Sequence, residues 1–219
     1  MTLKMLHFTL FYLILIKSTQ KYPSLKIWSI VHAFISVAWL FYIFRQKIGL
    51  SFIDMFSYKT IQNISDKISN DVKLKEILYD PGYHSIGYFT ADFIYGVCVK
   101  KYTYLLHHII SILMLGNVYL GSSLSVTGLF YAEIGGIMHH LQRFEKYSRN
   151  RYLTKLLLIM YFFIYGYTRI ILLGNNFNCF KYSKSLIEKT QIFLFMPIFF
   201  QNMNWLWENW NLSKHKILN

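Results

Sequence analysis

Cysteine and acidic residues are scarce in this chain, and each scarcity removes a class of protein. Only two cysteines occur, Cys98 and Cys179, so the chain has no disulfide framework and no CxxC motif for a metal or a redox couple. Asp and Glu together number 10, against 23 Lys and Arg. Charged residues make up 15% of the sequence, whereas a soluble domain usually carries about 25%. The composition therefore points away from a soluble protein.

The chain contains several long apolar runs that carry few charged residues. Hydrophobic residues make up 54% of the sequence and gather into separate segments. A helix needs roughly 20 apolar residues to cross a bilayer, and the second, fifth and sixth runs reach that length. We therefore expect an all-α, polytopic membrane protein with six or seven transmembrane helices. The candidate spans are Leu3–Ile16, Leu25–Phe44, Ile86–Val99, Leu105–Leu120, Leu124–Phe144, Leu153–Gly174 and Gln191–Trp207.

The first apolar run has the flanks of a signal peptide but not its cleavage site. Lys4 precedes the run, yet Ile16, Lys17 and Ser18 do not form the small-x-small pattern of such a site. We expect residues 1–24 to be a retained anchor or a short first helix. The transmembrane domain is then expected over residues 25–210, followed by a short polar tail over residues 211–219.

One long polar stretch, residues 45–85, separates the second and third apolar runs. Four aliphatic residues recur in it at the spacing of one helix face: Ile61, Ile64, Ile68 and Val72. This pattern fits either an amphipathic helix on the membrane surface or a solvated loop. Pro81 and Gly82 predict a break in the chain just before the third span.

The chain is strongly basic, with a formal net charge of +13. Many basic residues lie at span ends, where they bind anionic headgroups and fix orientation. No basic stripe with a nucleic-acid-binding motif occurs, so we expect membrane lipids, and no nucleic acid, as partners. One dense basic cluster predicts a cytosolic side, which leaves the sequon Asn63-Ile64-Ser65 luminal. The cluster consists of Arg143, Lys146, Arg149 and Arg151.

Two adjacent histidines, His107 and His108, stand inside the apolar run Leu105–Leu120. An ionisable side chain in hydrocarbon is costly unless it faces a cavity or a partner, so this pair indicates a functional site. Histidine also exchanges a proton near neutral pH. The alternative is a structural, hydrogen-bonded role, because adjacent residues on a helix point about 100° apart and need not act together.

Neighbouring spans carry further ionisable residues. Asp92 lies midway along the third span and Arg169 late in the sixth, while Glu133, Gly136 and His140 share one face of the fifth. Because such groups are expensive in lipid, we expect them to face a shared polar cavity. In the alternative interpretation, Asp92 and Glu133 pair with Arg169 and hold helices together.

The other histidines have simpler interpretations. His139 and His140 are expected to mark the interface end of their helix, where amphipathic side chains reach to water. No helical partner histidine accompanies the remaining four, and no chemistry is assigned to them: His7, His32, His84 and His215.

The spacing of the histidines argues against a metal site. The sequence has eight histidines but no HxxxH or HxxHH box of the membrane desaturases, and no HExxH motif. Adjacent histidines on a helix diverge and converge poorly on one ion. We expect no bound metal or cofactor, and general acid–base work fits the pair better.

A series of short motifs spans most of the chain, from about Trp28 to Trp207. In sequence order they are Ser29-Ile-Val-His-Ala33, Gly87-Tyr-Phe-Thr-Ala-Asp-Phe93, Leu106-His-His-Ile109, Tyr131-Ala-Glu133, Arg169-Ile170 and Asn202-Met-Asn-Trp205. No single motif is specific, but their order and spacing resemble the TLC-domain membrane proteins. The resemblance is closer to the small TLC-domain proteins than to the ceramide synthases of that family.

This resemblance implies a bundle or barrel of about six helices around a lipid-accessible cavity, in the endoplasmic reticulum or a related intracellular membrane. In ceramide synthases a double histidine, matched here by His107 and His108, is implicated in moving a fatty acyl group from acyl-CoA to a sphingoid amine. The candidate catalytic residues are therefore His107, His108, Asp92 and Glu133, with acyl-CoA as the implied co-substrate.

The sequence departs from the ceramide synthases after the double histidine. Their HD-x-x-D segment is missing, and Glu133 with Gly135 and Gly136 occupies that region. The departure argues against ceramide synthesis itself but not against lipid chemistry in general. Two hypotheses follow: an acyl-CoA-dependent lipid acyltransferase acting in membrane lipid homeostasis, or a non-catalytic membrane protein that senses or regulates lipid composition.

Overall fold

A computed structural model describes residues 2–21, 26–57, 67, 71–100, 105–116, 123–146, 150–175 and 186–218. These residues are helical in seven main segments, with no strand among them. The helices are α1 (Thr2–Thr19), α2 (Ile27–Ile43), α3 (Val72–Cys98), α4 (Leu105–Gly116), α5 (Ser123–Leu141), α6 (Arg151–Gly166) and α7 (Leu186–Leu218). The all-α class predicted from the sequence is confirmed for this part of the chain.

Two of these helices continue as π-helical turns. The turn Phe44–Ile48 extends α2 and ends at Gly49, whose φ of 77° is a left-handed conformation that glycine adopts without strain. The turn Tyr167–Leu172 extends α6 into the short helical turn Leu173–Asn175. Such π-helical turns are rare and occur often at functional sites.

Six of the helices close into a ring. Going round it, α2 packs on α5, α5 on α6, α6 on α7, α7 on α4, α4 on α3, and α3 on α2 again. Helix α1 lies outside the ring, packed mainly along α3. The ring leaves a cavity between its helices, and α1 stands behind the part of the wall that α3 forms.

The predicted break at Pro81 and Gly82 is wrong. Helix α3 begins at Val72, where the side chain of Asp71 caps it by accepting a hydrogen bond from the Leu74 amide at 3.0 Å. It then runs through Pro81 and Gly82, both of which are buried. Proline removes one backbone donor and usually kinks a helix, but packing on both sides can hold the helix together.

The segment that follows α2 packs against one end of the ring. Met55 is fully buried there, and its carbonyl accepts a hydrogen bond from the Tyr131 hydroxyl at 2.7 Å. The Phe56 carbonyl accepts another from Tyr167 at 2.8 Å. At the surface of this segment, the backbone amide and hydroxyl of Ser51 donate to Asp54 and hold the pKa of its carboxyl below the usual range.

The outer faces of the helices are apolar. Large hydrophobic side chains are exposed all round the molecule, including Ile14, Leu106, Phe163 and Phe200. Monomeric soluble proteins rarely expose apolar surface of this extent. Two helical segments, Ile27–Ile48 and Arg151–Asn175, are long and apolar enough to cross a membrane, and Leu105–Gly116 is apolar but shorter. These features indicate a membrane protein.

Several predicted features lie outside the described residues. They are the amphipathic positions Ile61, Ile64 and Ile68, the sequon beginning at Asn63, the cytosolic-cluster residue Arg149, and Cys179. Val72, the fourth amphipathic position, is the first residue of α3.

Candidate functional site

The cavity inside the ring has a volume of about 140 Å³. All four candidate catalytic residues, His107, His108, Asp92 and Glu133, lie on its wall. Three of the six ring helices therefore contribute them. The same wall carries apolar side chains, among them Phe89, Met114, Leu115, Leu129, Phe195 and Ile198. The cavity thus combines a polar set of groups with a hydrophobic surface.

Asp92 is held by three groups, two from the start of α2 and one from α4. Its Oδ1 accepts a hydrogen bond from the indole Nε1 of Trp28 at 2.9 Å. Its Oδ2 lies 2.9 Å from Nε2 of His108 and 3.7 Å from Nζ of Lys26. A carboxylate is costly to bury without partners, and these three partners explain how Asp92 can be buried, with an exposure of 3%. Asp92 therefore stays in one orientation, directed at His108.

His108 is arranged like a histidine general base. Because its Nε2 faces the Asp92 carboxylate, that nitrogen carries the proton in the neutral ring, and Nδ1 then has a lone pair. Nδ1 is buried and has no hydrogen-bond partner among the described residues. A carboxylate that orients a histidine in this way fixes its tautomer for proton transfer.

His107 does not share the Asp92 carboxylate. Its ring lies among aromatic side chains, with centroids 5.9 Å from Trp205 and 6.1 Å from Phe89. Its Nδ1 is also buried without a hydrogen-bond partner in the described part of the chain. The two adjacent histidines thus have different surroundings but open onto one cavity.

Glu133 has a histidine of its own. Its Oε2 lies 3.4 Å from Nδ1 of His32, a ring that is 1% exposed and stacked on Tyr88 with centroids 3.8 Å apart. Two serines, Ser36 and Ser85, each approach Nε2 of His32 at 3.2 Å. Two separate acid–histidine pairs therefore meet the cavity: Asp92 and His108 both lie on its wall, whereas Glu133 lies on the wall with His32 behind it.

Arg169 pairs with neither acid at salt-bridge distance, contrary to the interpretation in which it holds Asp92 and Glu133. Its Nη1 donates to Oδ1 of Asn202 at 3.3 Å, and that oxygen also accepts from the Tyr165 hydroxyl at 3.0 Å. The acids are instead paired with histidines, Asp92 with His108 and Glu133 with His32. The guanidinium lines the cavity, and its Nε has no partner among the described residues.

Two glycines make room for this arginine. A Cβ built on Gly135 would lie 2.6 Å from Cγ of Arg169, and one on Gly136 would lie 3.3 Å from its Nη2. The second glycine also faces Glu133. Side chains at these positions would push the guanidinium away from the cavity wall.

His139 and His140 stand in the last turn of α5 and are partly exposed, in line with the expected position at the end of the helix. Both line the cavity, and both have a buried Nδ1 without a hydrogen-bond partner in the described chain. The His139 ring stacks on Trp205 at 5.6 Å, and its Nε2 lies 3.1 Å from Arg143.

Sequence reasoning missed Lys26, Trp28, His32 and His84. His32 lies within a motif that carries the family resemblance, but an isolated histidine in an apolar run does not reveal its partner. Trp28 and Lys26 approach Asp92 only because α2 and α3 are neighbours. In the described residues, no group of three His, Cys, Asp or Glu side chains is placed to hold a metal ion.

The family comparison covers most of the chain. A protein-family model described as the TLC domain matches residues 24–209. Neither the search of curated proteins nor the search of solved structures gives a match. The family and the apolar helices together indicate a membrane protein with a lipid-related function. This chain belongs to the TLC-domain family.

Proposed function

We propose that this chain is a multi-pass protein of the endoplasmic reticulum or a related membrane that transfers an acyl group from acyl-CoA to a lipid, as part of lipid homeostasis. The six ring helices would cross the bilayer, with their exposed apolar faces toward lipid. Several of them are shorter than a typical span, and packing against neighbours or local thinning of the bilayer accommodates such helices.

The observation that carries this proposal is the Asp92–His108 pair at 2.9 Å on the wall of a partly apolar cavity. Acyl transfer to an amine or an alcohol requires a base to take the acceptor's proton. His108 is the candidate for that work, because Asp92 fixes its tautomer and leaves Nδ1 as the basic nitrogen of the ring. The apolar side chains of the wall offer a surface for the acyl chain.

The reaction balances without any further reagent. His108 takes a proton from the N–H or O–H of the acceptor lipid while the acceptor's lone pair attacks the thioester carbonyl. The carbon–sulfur bond then breaks, the acyl group stays on the acceptor, and the thiolate of CoA takes the proton back from His108. The products are an amide or an ester and free CoA.

His107 and Arg169 face the same reaction space. A carbonyl oxygen gains negative charge when it is attacked, and donors directed at that oxygen lower the barrier. The guanidinium of Arg169 lines the cavity with its Nε unpaired in the described chain, so it is suited to this role. His107, which also lines the cavity, is a second candidate donor to the same oxygen.

The experiment measures acyl transfer by purified protein in lipid vesicles. Labelled acyl-CoA is supplied with a panel of long-chain amines and alcohols, and both free CoA and acylated lipid are quantified. Wild type is compared with His107→Ala and His108→Ala. His215→Ala, an exposed histidine on α7, is the matched control.

We expect product with wild type and with His215→Ala, and a loss of about 10²-fold or more with His108→Ala, the usual size of a general-base contribution. If no acceptor in the panel is acylated while the protein is folded and abundant, the acyltransferase proposal fails. Lipid binding by that inactive protein, lost in the same variants, would then support the sensing function. The missing HD-x-x-D segment is the observation that favours this second candidate.

A further inference from the structure

A hydrogen-bonded chain of buried side chains runs from the cavity wall to helix α1. It starts at Glu133, whose Oε2 lies 3.4 Å from Nδ1 of His32. Nε2 of His32 lies 3.2 Å from the Ser36 hydroxyl, which lies 3.3 Å from Nδ1 of His84. Nε2 of His84 lies 2.6 Å from the hydroxyl of Tyr12. Four helices, α5, α2, α3 and α1, contribute to this chain.

With both histidines neutral and Ser36 as the donor to His32, the chain has one direction; the hydroxyl of Ser85, which lies 3.2 Å from Nε2 of His32 and 3.4 Å from the Ser36 hydroxyl, is the other donor available there. An ionised Glu133 accepts only, so His32 carries its proton on Nδ1 and its Nε2 must accept. Ser36 then donates to His32, and it accepts in turn from Nδ1–H of His84. Nε2 of His84 is left as an acceptor, and the Tyr12 hydroxyl is the donor that satisfies it. Each side chain thus holds the next in the correct protonation pattern.

Tyr12 and His84 belong to the hydrogen-bonded chain although they do not contact the cavity. Neither lines the cavity, and both are buried, with exposures of 0% and 2%. Tyr12 also lies outside the segment that matches the TLC domain, which begins at residue 24. Without these hydrogen bonds, burying the polar groups of a tyrosine and a histidine between α1 and α3 would destabilise the fold.

Helix α1 is held close enough for this contact to be maintained. A Cβ built on Gly87 of α3 would lie 2.6 Å from Cβ of Phe8 and 3.0 Å from the backbone nitrogen of Thr9. The backbones of α1 and α3 therefore meet at this glycine, one helical turn from Tyr12 and His84 along their respective helices. Ring contacts of Tyr12 with His84 and His32 complete the packing.

We propose that Tyr12 and His84 are positioning residues, which stabilise through Ser36 the His32 tautomer that Glu133 requires and thereby hold the Glu133 carboxylate in place in the cavity. Helix α1 is then part of the functional site and not only an anchor. The functional consequence rests on the proposed function, in which Glu133 belongs to the reacting cavity. The coupling from Tyr12 to His32 does not depend on any reaction.

The test is nitrogen NMR of protein labelled with ¹⁵N-histidine and held in lipid nanodiscs. The ring nitrogens report directly which atom carries the proton, and His32→Gln and His84→Gln assign the signals. We expect both rings to be neutral with the proton on Nδ1. Tyr12→Phe is expected to shift the ring signals of His84 and also those of His32. Tyr131→Phe, which removes a hydroxyl from an equally buried tyrosine bonded to Met55, is expected to leave both unchanged.

Ser36→Ala separates hydrogen-bond coupling from the ring contact between the two histidines, whose centroids are 5.1 Å apart. If the coupling runs through Ser36, adding Tyr12→Phe to Ser36→Ala produces no further change at His32. The proposal is overturned if His32 is unchanged in Tyr12→Phe, or if wild-type His32 carries its proton on Nε2 alone. Should Tyr12→Phe fail to fold, His32 ring signals that are unchanged in the double variant Ser36→Ala/Ser85→Ala, which removes both hydroxyls from Nε2, overturn it equally.

A second arm uses the acyl-transfer assay. Tyr12→Phe is expected to lower kcat several-fold with little change in KM, since Tyr12 does not line the cavity, whereas Tyr131→Phe keeps the wild-type values. If wild type shows no acyl transfer but the NMR coupling is present, the proposed function fails and the coupling stands. If wild type is active while Tyr12→Phe alters neither kcat nor the His32 tautomer, the positioning role alone fails.

Discussion

The indole Nε1 of Trp28 donates to Oδ1 of Asp92 at 2.9 Å, and this single bond decides how the carboxylate is used. With Oδ1 occupied, Oδ2 is left for His108 and Lys26. The indole is fully buried on α2, so the orientation of a catalytic candidate on α3 depends on a neighbouring helix. Rigid support of this kind is what a reactive histidine requires.

Replacing Asp92 with asparagine should abolish most of the acyl transfer while preserving the shape of the site. The amide oxygen can still accept from Trp28, but the amide NH₂ would face Nε2 of His108. His108 would then move its proton to Nδ1, and this nitrogen would no longer be a base. We expect the rate of acyl transfer to fall about 10²- to 10⁴-fold.

The control for that substitution is Asp80→Asn on the same helix. Asp80 pairs with Lys4 at 2.7 Å near the surface, away from the cavity. Its variant should transfer acyl groups at the wild-type rate. An Asp92→Asn protein as active as Asp80→Asn would show that His108 does not depend on the carboxylate.

Gly135→Ala should destabilise the protein and displace Arg169. The new Cβ would lie 2.6 Å from Cγ of Arg169 and 2.8 Å from Oγ1 of Thr168, distances at which atoms must move. Overpacking of this kind costs about 1–3 kcal/mol. We expect a lower midpoint of thermal unfolding in detergent, together with weaker acyl transfer.

Gly116→Ala is the matched control, because a Cβ there meets no heavy atom within 4 Å. Alanine also favours the helix over glycine, so the unfolding midpoint should stay the same or rise slightly. Equal midpoints for the Gly135 and Gly116 variants would contradict the close packing of Arg169 on α5.

Gly87→Ala should loosen α1 from α3. The methyl group would meet the backbone of α1 at Thr9 as well as Cβ of Phe8, so a side-chain rotation cannot relieve the clash. We expect faster proteolysis within residues 2–19 and a shift of the His84 ring signals, with Gly116→Ala again unchanged. If residues 2–19 of the Gly87 variant resist proteolysis as well as those of wild type, the packing of α1 on α3 does not require the close backbone contact at Gly87.

Glycosylation mapping tests the orientation predicted from the basic cluster. Two sequons are suitable, beginning at Asn63 and at Asn211. With the C-terminus on the cytosolic side, only Asn63 is exposed to the luminal enzyme. Expression in microsomes should add a glycan that Asn63→Gln removes and Asn211→Gln leaves. A glycan lost only in Asn211→Gln would reverse the orientation.

The sequence determined the class of the protein and the identity of several wall residues. A run of about 20 apolar residues is long enough to cross a bilayer as a helix. A helix also hydrogen-bonds its own backbone groups where no water is present, so the all-α fold followed from composition and length. Helical periodicity placed Glu133, Gly136 and His140 on one face, and all three line the cavity. These are local properties, which the chain carries without reference to its neighbours.

Pairing between helices was decided by the tertiary structure alone. The sequence offered Arg169 as the partner of Asp92 and Glu133, but the ring places His108 and His32 nearer to them. His32, His84 and Tyr12 gained a role only because α1, α2 and α3 meet. Periodicity specifies which face of a helix turns inward; which helix lies opposite, and in what register, depends on packing across the whole ring. Helix–helix packing therefore decides how the two acids, the histidines and Arg169 act on one another.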